Sequence, residues 1–399
     1  MTAPLLVLSI LFAGCAFGDR ANPDHMPEFS WDRVPQYMHI RKSTAFTEEE
    51  IQYLATFPLI TFEKTTGLNT YGSTEEGTLA AARAVKAINP KARILFYRNV
   101  LVHYAVYDLD KQLQEIESPF LQDKWNRGNL VKEWLEAYDL SNPEVRDWWA
   151  RTAALACADD AIDGLFLDGL IKVLSNYKKV QLPPGKKEAV IDGYREMMKQ
   201  TRAALPPGKL MVANIIRALL PDSGLSEISK FDGSYIEGFT LPWGDVNRAD
   251  FIARGIEAVQ TAAREGKIIA MTLGLGESAA EEDKIDDSRK RLDSLEGLQK
   301  SIDFNLALFL VCAEKYSYLM LHDGYVADIR NGVCMSKVWL KRLPEYDRPL
   351  GPPKGPAKRD GYVFTREFEH VSVRVDVETE TGEIVWHAED AGTTENADH

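Results

Sequence analysis

The sequence predicts an α/β protein, a (β/α)8 TIM barrel followed by a small C-terminal antiparallel β-sheet. Short apolar segments recur along the first part of the chain, and amphipathic segments with helical spacing separate them. Strands that alternate with helices predict right-handed βαβ crossovers and a parallel sheet. Eight such units in roughly 300 residues match a TIM barrel in strand number and size, whereas a doubly wound sheet would leave two strands unplaced.

The predicted strands share a polar or charged side chain at or just after the C-terminal end. The strands are Tyr37–Arg41, Leu59–Phe62, Arg93–Tyr97, Gly164–Asp168, Leu210–Ala213, Gly233–Glu237, Lys267–Met271 and Tyr318–Leu321. Because the C-terminal ends of barrel strands meet at one mouth, these polar side chains should converge there. They are Arg41, Glu63, Arg98, Asn99, Asp168, Asn214, Glu237, Thr272 and His322.

Local signals mark where the helices begin. Thr47, with Glu50 three residues later, forms a capping box. Thr74 is expected to cap the second helix, and either Ser141 or Asn142 the helix before the fourth strand. Further helices are predicted over Lys187–Leu205, Asp250–Glu265 and Arg289–Ala313.

Two regions depart from this pattern. Between Leu101 and Tyr138 the sequence has no clear period, and a loop of this length is typical of a functional wall or lid. Near the end, four valines from Val371 to Val377 alternate with polar residues, which predicts a half-buried antiparallel strand. It should form a three-stranded sheet with Gly361–Phe368 and Ile384–Trp386. We therefore divide the chain into a leader (1–18), a barrel (30–340) and a Pro-rich strap with the small sheet (341–390).

Charge and the first residues suggest where the protein acts. The 47 Lys and Arg against 60 Asp and Glu give a net charge of −13, which disfavours nucleic acid as a partner. Thr2–Phe17 is apolar and uncharged, as in a secretory signal, so export to the periplasm, the outer surface or the medium is expected. Phe12–Cys15 looks like a lipoprotein box, in which Cys15 would carry a lipid anchor.

The remaining cysteines and the known motifs indicate no metal or cofactor. Cys157 and Cys312 lie within apolar helical patterns and are expected to be buried thiols, although a bridge from Cys312 to Cys334 stays open. No zinc pair, phosphate loop, H-E-x-x-H or G-x-S-x-G motif occurs. A metal held by Asp168, Glu237 and His322 is a weaker alternative.

Two carboxylates carry the functional prediction. Asp168 and Glu237 end strands built alike, with glycine on both sides of each segment. Asp168 alone could simply cap the next helix, but two carboxylates at equivalent strand ends are what acid–base chemistry on a glycosidic bond needs.

The other strand-end residues suit a sugar. Amides and charges can bind hydroxyl groups, and aromatic rings can stack on pyranose rings. The residues expected to bind substrate are Arg98, Asn99, Lys172, Asn214 and His322, with Tyr71 and Trp243 as stacking rings.

These segments resemble a known family. Gly164–Gly169, the strand end at Asn214 and Tyr235–Phe239 are similar to the hypothetical glycoside hydrolase 15-like group of TIM-barrel proteins. The helix start at Asp139–Arg146 and the strap with its strands at Pro349–Arg366 resemble the same group, so the similarity covers nearly the whole mature chain. The resemblance implies a glycosidase, and some relatives of this type act on red-algal galactans. A more distant similarity is to glycoside hydrolase family 114.

The placement on strands four and six also resembles the α-galactosidase clan. There the fourth-strand Asp is the nucleophile and the sixth-strand residue is the acid/base. The resemblance therefore implies Asp168 as nucleophile and Glu237 as general acid/base in a retaining mechanism.

These roles require opposite environments, one favouring an ionised carboxylate and the other a proton. We expect apolar Ile236 and Phe239 to favour protonated Glu237, and Arg98 or Lys172 to keep the nucleophile ionised.

Basic residues near the strand ends suggest an acidic or sulfated sugar, or they serve as structural ion-pair partners. They are Arg41, Lys42, Arg98 and Arg217. The alternative function is a non-catalytic glycan-binding lipoprotein on a TIM-barrel scaffold.

Overall fold

The computed structural model describes residues 24–131, 134–175, 181–242, 245–275 and 301–387. The predictions for the leader with Cys15, for Trp243 and for the first part of the last barrel helix fall outside these ranges.

Eight parallel strands form one sheet whose order follows the sequence, which confirms the predicted barrel. They are β1 (Tyr37–Ile40), β2 (Leu59–Phe62), β3 (Arg93–Asn99), β4 (Gly164–Asp168), β5 (Leu210–Asn214), β6 (Gly233–Ile236), β7 (Ile268–Gly274) and β8 (Ser317–His322). Between β8 and β1 the barrel nearly closes. There a parallel bridge joins Gln36 to Leu319, whose N–H donates to the Pro35 carbonyl at 2.8 Å, and a second bridge joins Arg41 to Val326 just past the ends of both strands. We call this sparsely bonded gap the seam.

Helices follow the strands, and after β2 and β4 a short helix precedes the longer one. They are α1 (Glu48–Leu54), α2 (Leu68–Tyr71), α3 (Thr74–Ile88), α4 (Pro143–Ala156), α5 (Leu170–Leu174), α6 (Lys186–Ala204), α7 (Leu225–Ile228), α8 (Arg248–Arg264) and α9 (301–312, within the described residues).

The capping predictions hold with one correction. Thr47 and Glu50 form the expected capping box, and Asn142 rather than Ser141 caps α4. The N-cap of α3 is Ser73, whose hydroxyl accepts from the N–H of Glu76 at 3.2 Å. Thr74 is the first helical residue instead, and its hydroxyl donates to a loop carbonyl, Val106 O, at 2.8 Å.

Aromatic rings fill the barrel below its C-terminal mouth. The His39 ring lies 4.9 Å from Phe166 and 5.1 Å from Tyr235 between centroids, and Tyr97 stacks on Phe166 at 5.5 Å. All four are buried. Burial lowers the pKa of His39 to about 4, so its ring is neutral at pH 7. These rings form a packed, apolar floor under the polar side chains of the mouth.

The segment between β3 and α4 stands over the mouth as a folded wall. Val102–His103 pairs antiparallel with Glu136–Ala137, and a 3-10 helix spans Asp108–Glu115. We call residues 101–138 the β3 loop.

The C-terminal sheet has four strands rather than the predicted three. They are β9 (Lys358–Asp360), β10 (Val363–Glu367), β11 (Val371–Asp376) and β12 (Thr381–Trp386), all antiparallel. The sequence prediction missed β9 because its three residues are all exposed and charged. Val371, Val373 and Val375 face inward, as their alternation predicts. Arg366 of β10 donates to the carbonyls of Leu310 and Ala313 at the end of α9, which ties the sheet to the barrel.

The three cysteines within the described residues are not disulfide-bonded. Cys157 and Cys312 are buried thiols, as predicted. The bridge left open between Cys312 and Cys334 is not formed, since the Cys334 thiol donates to the Ala327 carbonyl at 3.6 Å. Within the described residues, no helix has both the length and the apolar character needed to cross a bilayer.

Candidate active site

Asp168 ends β4 and accepts hydrogen bonds at both carboxylate oxygens. The Tyr97 hydroxyl donates to Oδ2 at 2.7 Å and the Asn99 amide donates to the same oxygen at 3.1 Å. The Asn214 amide donates to Oδ1 at 3.2 Å. Gly169, the next residue, has φ of 86° and lies so close to Asn99 that a Cβ there would be 2.4 Å from Asn99 Oδ1. Only glycine lets the chain turn here without displacing that amide.

The backbone sets the orientation of the Asn99 amide. Its Oδ1 accepts from the N–H groups of Leu101 (3.0 Å) and Val102 (2.7 Å). The amide nitrogen therefore has to face the Asp168 carboxylate.

Glu237 follows β6 and shares one donor with Asp168. The same Asn214 nitrogen donates to Glu237 Oε2 at 3.0 Å, and Arg217 Nη2 donates to that oxygen at 3.1 Å. The two distances from Asn214 Nδ2, 3.2 Å to Asp168 Oδ1 and 3.0 Å to Glu237 Oε2, add to 6.2 Å. The two carboxylate oxygens therefore lie no further apart than 6.2 Å.

The Glu237 side chain remains open to solvent. It is 39% exposed, whereas Arg217 beside it is 12% exposed. Its Oε2 is occupied by two donors, and no hydrogen bond reaches Oε1 from any residue that the structure describes. Oε1 is thus the oxygen available to a ligand.

The environment of Asp168 favours its ionised form. Burial alone would raise its pKa, but the Tyr97 hydrogen bond, the charges of Lys172 and Lys64, and the Gly169 N–H together lower it below the usual value. Burial raises the pKa of Tyr97 well above its usual range, so the hydroxyl stays protonated and keeps donating. Asp168 is therefore a carboxylate at neutral pH, as the nucleophile role requires.

A second ionic cluster lies on the rim beside Asp168. Glu63 pairs with Lys64 and with Arg41, whose Nη1 lies 3.3 Å from Glu63 Oε2. Burial opposes ionisation of Glu63, yet the charges of Lys64 and Arg41 lower its pKa to about 2. Lys64 Nζ also lies 4.8 Å from the centre of the Tyr97 ring and 5.0 Å from that of Tyr104. Lys64 of this cluster thus packs on the ring of Tyr97, whose hydroxyl donates to Asp168.

Four basic side chains lie near the carboxylate pair. They are Arg41, Lys64, Lys172 and Arg217. Arg41 and Lys64 pair with Glu63, and Arg217 pairs with Glu237.

Two predicted substrate residues do not reach the opening. Tyr97 and Asn99 point into the barrel, so Arg98 between them points outward. There its Nη2 donates to Thr152 Oγ1 at 3.3 Å, and its guanidinium lies 4.8 Å from the centre of the Tyr107 ring. The guanidinium also packs on two tryptophans of α4. The prediction that Arg98 binds substrate or keeps Asp168 ionised was therefore wrong.

His322 is held inside the barrel wall. The Gly324 N–H donates to Nδ1 at 3.1 Å, and Nε2 lies 3.2 Å from the Tyr325 hydroxyl. Burial lowers the pKa of His322 to about 3, so its ring is neutral. Because both ring nitrogens have partners, His322 offers no atom to a sugar, contrary to the prediction.

The apolar neighbours of Glu237 point away from its carboxylate. Ile236 is buried between two inward-facing residues, Tyr235 and Glu237, so alternation turns its side chain outward. Phe239 follows the turn at Gly238, whose φ is 55°, and its ring packs against Gly255 of α8. The expectation that Ile236 and Phe239 surround the Glu237 carboxylate was therefore wrong.

The other predicted residues are distributed as follows. Asn99 and Asn214 contact the carboxylates, and Lys172 is exposed on α5 with its charge acting on Asp168. Tyr71 lines a small cavity with residues of α1 and α3, away from the carboxylate pair. Lys42 pairs with Glu50 of α1 at 2.7 Å and serves as a structural ion pair.

Sequence reasoning missed Tyr97 as a site residue. It stands two positions before Asn99 on one strand, so both must face the same side. That spacing was a usable signal. The role of Arg217 as the partner of Glu237 depends on a loop and carried no comparable signal.

A metal centre finds no support in the side-chain positions. No group of three or more His, Cys, Asp or Glu within the described ranges is arranged to hold an ion.

Several solved structures resemble this chain. An α-L-fucosidase isoenzyme 2 from Paenibacillus thiaminolyticus is 16% identical with a TM-score of 0.48, covering 79% of this chain and 48% of its own, so the chain spans about half that protein's length. An α-galactosidase from Thermus thermophilus is 17% identical, with coverage of 89% and 68% and a TM-score of 0.45. A maltogenic α-amylase from Thermotoga neapolitana is 10% identical, with coverage of 87% and 86% and a TM-score of 0.46. Sequence identities and TM-scores this low do not indicate the activity of this chain.

A family profile matches most of the chain. No curated protein matches the sequence. The profile of hypothetical glycosyl hydrolase family 15 matches residues 86–372, which include the carboxylate pair, the β3 loop and the first two strands of the C-terminal sheet. The chain therefore belongs to hypothetical glycosyl hydrolase family 15.

Proposed function

We propose that this protein is a retaining glycoside hydrolase in which Asp168 is the nucleophile and Glu237 the general acid/base. The observation that carries the proposal is the Asn214 amide nitrogen, which donates to both carboxylates at once. Family membership supports the reaction class. The roles follow from the environments, since Asp168 is bonded as an ion and Glu237 leaves one oxygen open.

The separation of the carboxylates supports retention. Retaining glycosidases hold the two groups about 5–5.5 Å apart, and inverting enzymes about 6.5–9.5 Å apart, to leave room for a water molecule. Asp168 Oδ1 and Glu237 Oε2 share one donor and lie at most 6.2 Å apart, which favours the closer spacing of retaining enzymes.

The hydrogen bonds suggest which oxygen performs each step. Asp168 Oδ2 already accepts two bonds and Oδ1 one, so Oδ1 is the better placed to attack the anomeric carbon. As the bond from carbon to Asp168 forms, the glycosidic C–O bond breaks and its oxygen takes the proton from Glu237 Oε1. Glu237 then takes a proton from water, whose oxygen displaces Asp168 from the sugar.

The basic side chains at the mouth support a substrate with acidic or sulfate groups. Arg41, Lys64, Lys172 and Arg217 all lie near the carboxylate pair. Anionic substituents on a polysaccharide would be attracted to this mouth.

Export is proposed from the apolar stretch Thr2–Phe17, with or without a lipid on Cys15. Mass spectrometry of the protein from its native host should find a mature chain that begins near residue 19, or a lipid-modified Cys15. A full-length chain that retains Met1 in the cytoplasm would contradict export.

Replacing either carboxylate should abolish most turnover. We expect Asp168→Asn to lower kcat/KM by about 10³-fold or more, because no other group can form the intermediate. Glu237→Gln should lower it about 10²- to 10⁴-fold through loss of proton transfer.

The measurement is release of reducing ends from neutral, carboxylated and sulfated polysaccharides. Glu49→Gln on the exposed face of α1 is the matched control. Near wild-type turnover in Glu237→Gln would refute the assignment, and binding without turnover in the wild type would favour the non-catalytic alternative.

Retention predicts the configuration of the first product. Proton NMR during early hydrolysis should show the anomer with the same configuration as the cleaved bond, before mutarotation begins. Initial release of the opposite anomer would mean that water attacks directly and that Asp168 is a base.

The Tyr97 hydrogen bond should be visible in the pH profile. This bond stabilises ionised Asp168, so Tyr97→Phe should raise the Asp168 pKa. As the pH falls, the variant should therefore lose activity at a higher pH than the wild type. The acidic limb of kcat/KM should therefore move to higher pH. Tyr318→Phe is the control, since that buried hydroxyl donates to the carbonyls of Pro27 and Glu28, outside the mouth. An unmoved acidic limb in Tyr97→Phe would show that another group controls it.

A further inference from the structure

Trp125 is an exposed aromatic residue of the β3 loop that the proposed chemistry does not use. It lies on the β3 loop with 53% of its surface exposed. A large aromatic side chain is normally mostly buried, so an open one near a candidate active site suggests a binding surface.

The β3 loop stands at the mouth near Asp168. On one side, the loop begins directly after Asn99, whose amide contacts Asp168 and whose Oδ1 holds the N–H groups of Leu101 and Val102. On the other side, the Lys124 N–H donates to the Gln181 carbonyl at 2.9 Å, in the segment that follows α5. The loop therefore begins beside the proposed nucleophile and is bonded, at Lys124, to the segment between α5 and α6.

A buried carboxylate fixes the backbone under Trp125. Asp123 is 4% exposed, and its Oδ1 accepts from the N–H groups of Trp125 (2.9 Å) and Arg127 (3.0 Å). Its Oδ2 accepts from Arg127 Nε at 2.8 Å. The ring is thus presented by a pre-organised turn, which reduces the entropy that a ligand would have to overcome.

Two cations lie on the ring. Lys124 Nζ is 4.5 Å and the Arg127 guanidinium is 4.6 Å from the centre of the Trp125 ring. The Asp123 carboxylate accepts from Arg127, whereas no carboxylate pairs with Lys124 in the described part of the chain.

We propose that Trp125, with Lys124 and Arg127, is an outer subsite that binds an acidic or sulfated sugar unit of the same polysaccharide that is cleaved at Asp168. This rests on the proposed function. The exposed part of the indole packs against the C–H face of a pyranose ring, while the ammonium and guanidinium groups donate to its sulfate or carboxylate oxygens. Binding at a distance from the reacting bond holds a polymer in register with the catalytic pair.

The test is equilibrium binding of two probes with one backbone, dextran sulfate and unmodified dextran, measured by affinity electrophoresis or calorimetry. Trp125→Ala should weaken binding of dextran sulfate at least about fivefold, and Lys124→Gln should weaken it in the same direction. Trp125→Phe should restore most of the affinity. The control is Trp386→Ala in β12, where Arg348 also lies 4.7 Å from a tryptophan ring but on the C-terminal sheet. That variant should bind as the wild type does.

The possible results separate this inference from the hydrolase proposal. Wild-type affinity in Trp125→Ala would refute the subsite, whatever the catalytic variants show. Equal losses for both probes in Trp125→Ala, with no loss in Lys124→Gln, would refute the anionic class of ligand. If Asp168→Asn binds dextran sulfate like the wild type while Trp125→Ala does not, the subsite holds even where no hydrolysis is found. Circular dichroism spectra of the variants confirm that each one folds.

Discussion

The site depends on the alternation of side chains along parallel strands that lie in register. Asn99 of β3 is directly opposite Asp168 of β4, and Asn214 of β5 is opposite Tyr235 of β6. Because alternate residues face inward, this register turns both amides and the Asp168 carboxylate into the barrel at the C-terminal ends of their strands. A shift of one residue in any of these strands would turn its polar group outward and an apolar one into the mouth.

The side-chain amide of Asn214, which is neutral, donates hydrogen bonds to both Asp168 and Glu237. An amide can donate to two carboxylates without adding a charge, so it brings them close while leaving their protonation to other neighbours. Those neighbours differ. Asp168 has a hydroxyl, a second amide and nearby lysines, whereas Glu237 has an exposed oxygen and one guanidinium. Such a contrast between paired carboxylates is what distinguishes a nucleophile from an acid in this type of chemistry.

Much of this was predictable from the sequence, and the errors share a cause. The eight strands, the two carboxylates and both amides follow from apolar segments that end in polar residues. Arg98 was misplaced because it was judged by its position near a strand end, without applying the alternation that already fixed Asn99 as inward. Phe239 was misplaced because the chain turns at Gly238, where φ is 55°. The burial of Arg98 could not be anticipated, since the rings that cover it include Trp148 and Trp149 of α4, about fifty residues later. The fourth strand of the C-terminal sheet has no apolar residue, so no hydrophobic pattern marks it.

The seam between β8 and β1 is held at both of its ends. Besides the bridge from Gln36 to Leu319, Arg41 pairs in parallel with Val326 at the mouth, and its backbone forms hydrogen bonds of 2.8 Å with Tyr325 and Ala327. In an eight-stranded barrel, the strands opposite the seam are β4 and β5, which carry Asp168 and Asn214 and are joined by a continuous ladder. A change in the spacing of β8 and β1 would therefore disturb the wall that holds Asp168 and Asn214 least.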